Sequence, residues 1–369
     1  MISSEHSSVA SGGAVFTRRA FVARSTAAAG GLVLSRLGFR AVADGLGDPV
    51  DAATLRPSPD VSVAAAILRR KPPYWLGWPG AAYDLESHQA EYLDKLETAC
   101  TRLGIHCAPV AAPVEDAGGL EQLRTAVGKT PPDAVILILQ HLSCWREVEK
   151  IVDLGLPAIV FAPVGTAFTG HVRDISRREG VHVVSSLDFG GVEFGLRMIR
   201  ARRMFEETRI LRIRGDRRNE TVMERLGLAV RHLPRRVFNE RFDRIPVTEE
   251  ARAAATRMKD GAQKVVEPDE ADLLNAARTY VTAKGLLRDE AANALTMDCL
   301  GMVAQRLVPT PPCMAWSMLQ DEGVTAGCEA DLFGAVSLLL TSYLFDKPGF
   351  MNDPVPETVH NRLIAAHCT

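Results

Sequence analysis

The sequence predicts an α/β protein: a doubly wound parallel-sheet N-terminal domain followed by a second α/β domain. Three observations carry this. Short, continuously apolar runs recur through the first half of the chain, amphipathic stretches ending at glycine separate them, and strand-like runs return after residue 290. Continuous apolar strands with helices between them are the pattern of a parallel sheet covered on both faces.

In chain order, the strand-like runs are "YWLGW" (74–78), "IHCAPV" (105–110), "AVILILQ" (134–140), "AIVFAP" (158–163), "VHVVSSL" (181–187) and "RILRIRG" (209–215). Between the first two, Leu85, Tyr92, Leu96, Ala99 and Leu103 fall at helical spacing and Gly104 supplies the stop. "SCWREVEKIVDLG" repeats that design and stops at Gly155. This places a Rossmann-like domain over residues 73–215, with right-handed crossovers. Residues 44–72, containing "GDPVDAATLRPSPD", read as a linker. Residues 216–290 read as helical and charged, with Glu267, Asp269 and Glu270 placed where a helix N-terminus favours acids. The second domain runs over 216–369. In it "NALTMDCLGM" is strand-like around Asp298, "PPCMAWSMLQDEG" a helix opened by prolines, and "VTAGCE" a strand end. "ADLFGAVSLLLTSYLF" is a helix, and "GFMNDP" and "RLIAAHCT" are paired strands.

Composition sets outer bounds. The chain has 369 residues, 47% hydrophobic and 24% charged, enough for two domains with ample core. A net charge of −2 leaves no nucleic-acid footprint. The first 43 residues carry paired Arg18 and Arg19, then Phe21, a mildly apolar small-residue stretch, and "AVA" at 41–43. That is the layout of a secretory signal of the twin-arginine type, so the export machinery is an expected partner and a periplasmic or otherwise exported location is expected. Without use of the signal the protein would be cytoplasmic. The apolar stretch is too short and broken to span a bilayer. Seven cysteines show no C-x-x-C pair. This is neither a disulfide framework nor a zinc-finger spacing, and a Cys100–Cys107 disulfide stays open.

In an open α/β sheet, ligands sit beyond the carboxyl ends of the strands. Here those ends read "GWPGAAYD", "QHLSCW", "APVGTAF" and "SSLDFGG". They are rich in Gly, Ser and Thr and suit a hydroxyl-rich small molecule such as a sugar. No Gly-x-Gly-x-x-Gly follows a strand, which disfavours a dinucleotide. Trp78, His141 and Trp145 are candidate sugar contacts, with loop packing the alternative for the last two.

The second domain concentrates acids at strand ends. Asp298 interrupts an apolar run, where a lone carboxylate is costly unless paired or metal-bound. Glu329 and Asp331 precede a long apolar helix, Asn352 and Asp353 end another run, and His367 lies in the last one. Carboxylates with an imidazole suit a hard divalent cation, Mn²⁺ or else Mg²⁺ or Co²⁺. Ordinary caps and turns are the alternative, and a helix cap is the favoured reading of Asp331.

The segments "NALTMDCL", "GVTAGCEADLFGAVSLLL", "KPGFMNDP" and "RLIAAHCT" resemble the L-fucose isomerase and L-arabinose isomerase family, with similarity extending over most of the chain after the signal. The resemblance implies a metal-dependent aldose–ketose isomerase acting through a cis-enediol. Asp298 and Glu329 would then be metal ligands and the alternating acid–base pair, with Glu357 nearest the position of a family metal histidine. Asn352 would contact the sugar, and His367 would be a sugar-hydroxyl contact or a structural histidine. It also implies a homo-oligomer, and a further C-terminal segment carrying the family's last metal histidine, so the second domain is expected to be either C-terminally incomplete or that of a shortened relative that has lost part of the site. The competing expectation is a non-catalytic exported sugar-binding or scaffold protein on the same fold.

Overall fold

A computed structural model describes residues 45–71, 84–109 and 112–367. The expected signal, the run at 74–78 and Trp78 lie outside the described residues. No helix among the described residues is long and apolar enough to cross a membrane.

The first sheet has five parallel strands in the order β2-β1-β3-β4-β5, formed by Val61–Leu68, Ile105–Pro109, Ala134–Leu139, Ala158–Phe161 and Val181–Val184 in chain order from β1 to β5. All of β3 and β4 is buried, as expected of strands covered on both faces. Helices α1 (Leu85–Leu103) and α5 (Gly190–Glu207) cover one face through Tyr92, Leu96, Leu196 and Ile199 against Ile136 and Ile159. Helices α2 (Ala117–Lys129), α3 (Trp145–Val152) and α4 (Thr169–Ser176) cover the other through Leu123, Val148, Ile151 and Ile175 against Leu137 and Val160. Asp84 caps α1 by accepting from Ser87 N at 3.0 Å, and Gly104 ends it at φ +66°. Gly195 is a close-approach position: a Cβ there would lie 2.8 Å from Ile159 Cδ1.

The linker expected over 44–72 needs correction, because β1 lies inside it, paired on both sides. Its "VSVAAAIL" is alanine-rich and carries little intrinsic strand signal. Pairing with β2 and β3 overrides that.

The second sheet is mixed, in the order β10-β9-β6-β8-β7. Its strands are β6 (Arg209–Ile213), β7 (Asn219–Met223), β8 (Leu228–Leu233), β9 (Ala294–Met297) and β10 (Thr325–Gly327). Only the β7–β8 edge pair is antiparallel. Two expectations change here. "RILRIRG" forms β6 of this sheet rather than a strand of the first. The stretch read as wholly helical, 216–290, begins with the β7–β8 hairpin. Its strand pattern is masked by charged side chains that pair across the sheet: Arg231 with Glu220 at 2.6 Å and with Glu290 at 2.8 Å, and Arg209 with Glu220 at 3.3 Å.

Helices α6 (Arg235–Arg244), α7 (Glu249–Gly261), α8 (Glu270–Asp289) and α10 (Cys313–Asp321) share one core with this sheet, with Phe238, Met258, Tyr280, Leu286 and Trp316 among its members. Asp269 caps α8 in a reciprocal capping box with Asp272, as its acids suggested. Helix α11 (Leu332–Phe345) covers the other face, where Leu339 and Tyr343 meet Ala201 and Met204 of α5. Asp346, at the left-handed end of α11, is held by Arg56 at 2.8 Å, Arg197 at 3.0 Å and Arg200 at 2.7 Å. The paired strands expected near the C-terminus are β11 (Asp353–Glu357) and β12 (Arg362–Ala366), an antiparallel hairpin.

Candidate functional site

Strands β9 and β10 run parallel, with Thr296 opposite Gly327. Asp298 and Glu329 each lie two residues past that pair, so neighbouring strands deliver both acids to the same sheet edge. The backbones stay joined beyond the strands: Ala330 N donates to Met297 O at 2.9 Å, and Thr296 Oγ1 to Cys328 O at 3.0 Å. Arg212, from β6, donates Nε to Ala330 O at 2.9 Å.

Asp298 is not inside the strand, as the sequence had suggested. It ends β9 and caps the short helix α9 (Cys299–Ala304), accepting from Gly301 N at 3.3 Å. Its other oxygen is ion-paired with Arg235 at the start of α6. That pairing resolves the cost of an acid in an apolar run. Glu329 and Ala330 are consecutive non-glycine residues in the left-handed region, at φ +62° and +54°. Backbone of this kind costs about 1–3 kcal/mol per residue and collects at functional sites.

Three thiols lie beside this edge: Cys299 Sγ accepts from Glu329 N at 3.5 Å, and Cys299 and Cys313 both act on the Cys328 thiol. Cys328 Sγ lies 3.8 Å from His367 Nε2, and Cys328 N donates to Met351 Sδ at 3.3 Å. The hydrogen bond from Cys328, opposed by burial and helped by the Glu329 amide, lowers the Cys299 thiol to about 7. Cys328, which donates that bond, is raised. The sequence hid this cluster: the three cysteines lie on separate elements with no short spacing, and only the strand order unites them.

The remaining expected residues are dispersed. Asp331 is a helix cap, accepting from Phe333 N at 2.9 Å and Gly334 N at 3.1 Å. Glu357 closes the β11–β12 turn, accepting from Val359 N at 2.6 Å and contacting His360 Nδ1 at 3.0 Å. Asn352 donates to Phe350 O at 3.3 Å. In the first sheet, Trp145 is buried and donates Nε1 to Thr166 O at 2.8 Å while stacking on His171. His141 contacts Ser143 Oγ at 2.9 Å, and burial, then the charge of Arg70, lowers its pKa. His141 lies in the turn after β3 and Trp145 opens α3, both apart from the acids of the second sheet.

Among the described residues, no three or more His, Cys, Asp and Glu side chains are arranged to hold a metal ion. With Asp298 ion-paired to Arg235 and Glu357 engaged in its own turn, the expected Mn²⁺, Mg²⁺ or Co²⁺ set of Asp298, Glu329 and Glu357 does not fit as it stands.

A second polar centre went unread in the sequence. A cavity of about 380 Å³ is lined by Asp51, Glu250, Arg257, Tyr280, Lys284 and Glu322, among others. Lys284, 4% exposed on α8, donates to Glu250 at 2.6 Å and to Tyr280 OH at 3.0 Å, and Tyr280 donates to Glu322 at 2.6 Å. Burial would lower the Lys284 pKa, but the bonds to Glu250 and Tyr280 outweigh it and raise it.

Comparison with known proteins gives limited likenesses. No family model matches the chain. A sulfoquinovose isomerase from Clostridium sp. strain MSTE9 is 35% identical over 60 residues, which are 16% of this chain and 13% of that protein's length. A solved ABC transporter solute-binding protein from Burkholderia multivorans aligns at 10% identity over 79% of this chain and 95% of its own, with a TM-score of 0.24, too low to carry an argument. What is shown is a partial likeness to a sugar isomerase on a two-domain α/β chain.

Proposed function

We propose that the carboxyl edge of the second sheet is a sugar-handling site at which Asp298 and Glu329 interconvert an aldose and a ketose. The observation that carries this reading is the parallel pairing of β9 with β10, which brings two acids distant in sequence to one edge. Isomerisation needs a carboxylate to take a proton from the carbon beside the carbonyl and return it to the carbonyl carbon. The hydroxyl proton moves the other way, through a cis-enediol. Two carboxylates at one edge suit that exchange, a positioned acid–base group contributing about 10²–10⁴-fold. Arg212 and Arg235 at the same edge suit a sugar carrying a negative charge or a developing enediolate. The resemblance to fucose and arabinose isomerases and the partial likeness to a sulfoquinovose isomerase support the same chemistry.

The test incubates the purified chain with L-fucose, L-arabinose, D-arabinose and sulfoquinovose, each with Mn²⁺ and with chelator. Ketose formation that disappears in Glu329→Gln supports the reading. Sugar binding by calorimetry without turnover in any arm supports the second reading, a non-catalytic sugar-binding protein. That alternative is favoured by the Arg235–Asp298 ion pair, which ties up one of the two acids. Twin-arginine export and a homo-oligomeric state remain part of the proposal, tested by periplasmic fractionation and by gel filtration.

A further inference from the structure

We propose, resting on the sugar-handling reading of this edge, that its substrate is a sugar carrying a strong oxyanion, a phosphate or a sulfonate, and that Arg214 and Arg212 select it. Strand β6 lies between β8 and β9, and its register fixes what stands beside the acids. Ile213 is opposite Met297, and Asp298 N donates to Ile213 O at 3.0 Å. One residue further on, Arg214 therefore stands beside Asp298, with Glu329 on the far side of Asp298. On its other flank Arg214 N donates to Leu233 O at 3.0 Å, so it is still held in the sheet. Adjacent strands run about 4.8 Å apart, within reach of an arginine side chain. Arg212, two residues earlier, lies on the same face of β6, opposite Thr296 on one side and His232 on the other. Its Nε donates to Ala330 O at 2.9 Å, next to Glu329, which leaves both Nη groups for a ligand.

Charge sets these two arginines apart. Among the described residues neither is in an ion pair, whereas Arg209, Arg218, Arg231 and Arg235 around them each hold a glutamate or an aspartate. Arg214 is exposed and Arg212 half-buried. The acids of the edge do not consume them. Asp298 is ion-paired with Arg235, and Asp331 accepts two amides of α11. Asp216 and Arg217 follow in the exposed turn after β6 and offset one another. Glu329 is left facing two cations, so the edge carries an excess of positive charge. His232 feels that field: burial, then the charges of Arg212 and Arg217, lower its pKa. Unpaired guanidinium groups recognise oxyanions through paired N–H donors, at charge-assisted strength. A neutral sugar has no group that needs two of them. A developing enediolate would need one, at the carbons that Glu329 serves. A phosphate or sulfonate at the far end of the sugar gives both arginines a partner.

The experiment titrates the full chain by calorimetry with two matched pairs, glucose 6-phosphate against glucose and sulfoquinovose against 6-deoxyglucose, and measures ketose formation from the same four sugars. Each anion is expected to bind at least about tenfold tighter than its neutral match. That gap should narrow between about 50 and 500 mM NaCl, and it should shrink by about tenfold in Arg214→Gln. Arg225→Gln, in the turn between β7 and β8 at the opposite end of the sheet, removes the same charge from the chain and should keep the gap. Arg212→Gln should shrink the gap too; if it fails to fold, Arg214→Gln decides alone. A gap in one pair only supports the site and identifies its oxyanion. Ketose formation from the neutral sugars, with equal affinity within each pair, leaves the isomerase reading standing and overturns this one. No ketose from any sugar, with a gap that Arg214→Gln removes, overturns the isomerase reading and keeps the oxyanion site. A gap that Arg214→Gln leaves untouched, or that Arg225→Gln removes equally, overturns the proposal.

Discussion

The two ends of the second sheet handle charge in opposite ways. At the amino end, Lys284, Tyr280, Glu250 and Glu322 close into a bonded chain around a cavity, on relaxed helical backbone. At the carboxyl end, Asp298 and Asp331 are engaged one by one, and Glu329 sits on left-handed backbone with its amide donating to Cys299 Sγ. A closed network of this kind is what a fold needs to bury a lysine. Strained backbone beside acids is what folding stability alone would remove. On the proposed reading, the contrast separates a structural polar centre from the sugar-handling edge at opposite ends of four parallel strands.

The sharpest way to break the contrast is Lys284→Met. It leaves Glu250 facing a buried position without its cation, and a loss of about 3–5 kcal/mol in urea unfolding is expected. Sugar turnover per folded molecule is expected to be unchanged; a selective loss of turnover would move the chemistry to the cavity. Glu329→Gly works in the other direction. It should raise stability by about 1 kcal/mol, because glycine accepts φ +62° without penalty, while abolishing turnover. Asp331→Ala tests the cap alone and is expected to lower stability by about 1 kcal/mol with the sheet edge otherwise intact.

The smallest effect concerns pH. Burial alone would raise the Asp346 pKa, but Arg200, with Arg56 and Arg197, lowers it below the ordinary carboxylate value. A folded pKa below the unfolded one means the stabilisation is fully present above about pH 4 and fades as pH falls through the folded value. Asp346→Asn keeps a residue that tolerates the left-handed cap and removes the charge. Melting temperatures between about pH 2.5 and 6 should therefore fall less steeply with acid in the variant than in the wild type; parallel curves would contradict the clamp.

The sequence showed most of the fold where a single rule dominated. "AVILIL" and "AIVF" are continuous apolar runs with one reading, and Gly104 and Asp331 sit where stops and caps belong. It failed where tertiary pairing outweighed local signal, as in alanine-rich β1 and in β7–β8, whose charges pair across strands. Of the candidate site, Glu329 at a strand end followed from pattern, whereas Asp298, read as lying inside its run, stands just past β9 as a helix cap, and the pairing of β9 with β10 had no local signature. Arg235 as the partner of Asp298, and the meeting of Cys299, Cys313 and Cys328, depend on strand order and had no local signature. Glu357, offered by the resemblance as nearest a metal position, is instead engaged in the turn between β11 and β12.

The central claim, that Asp298 and Glu329 act together on a sugar, is tested most directly by measuring ketose formation in wild type, Asp298→Asn, Glu329→Gln and the double variant. The expected result is turnover in the wild type, a loss of about 10²–10⁴-fold in each single variant, and little further loss when the two are combined. Full turnover in either single variant with the fold intact would contradict it.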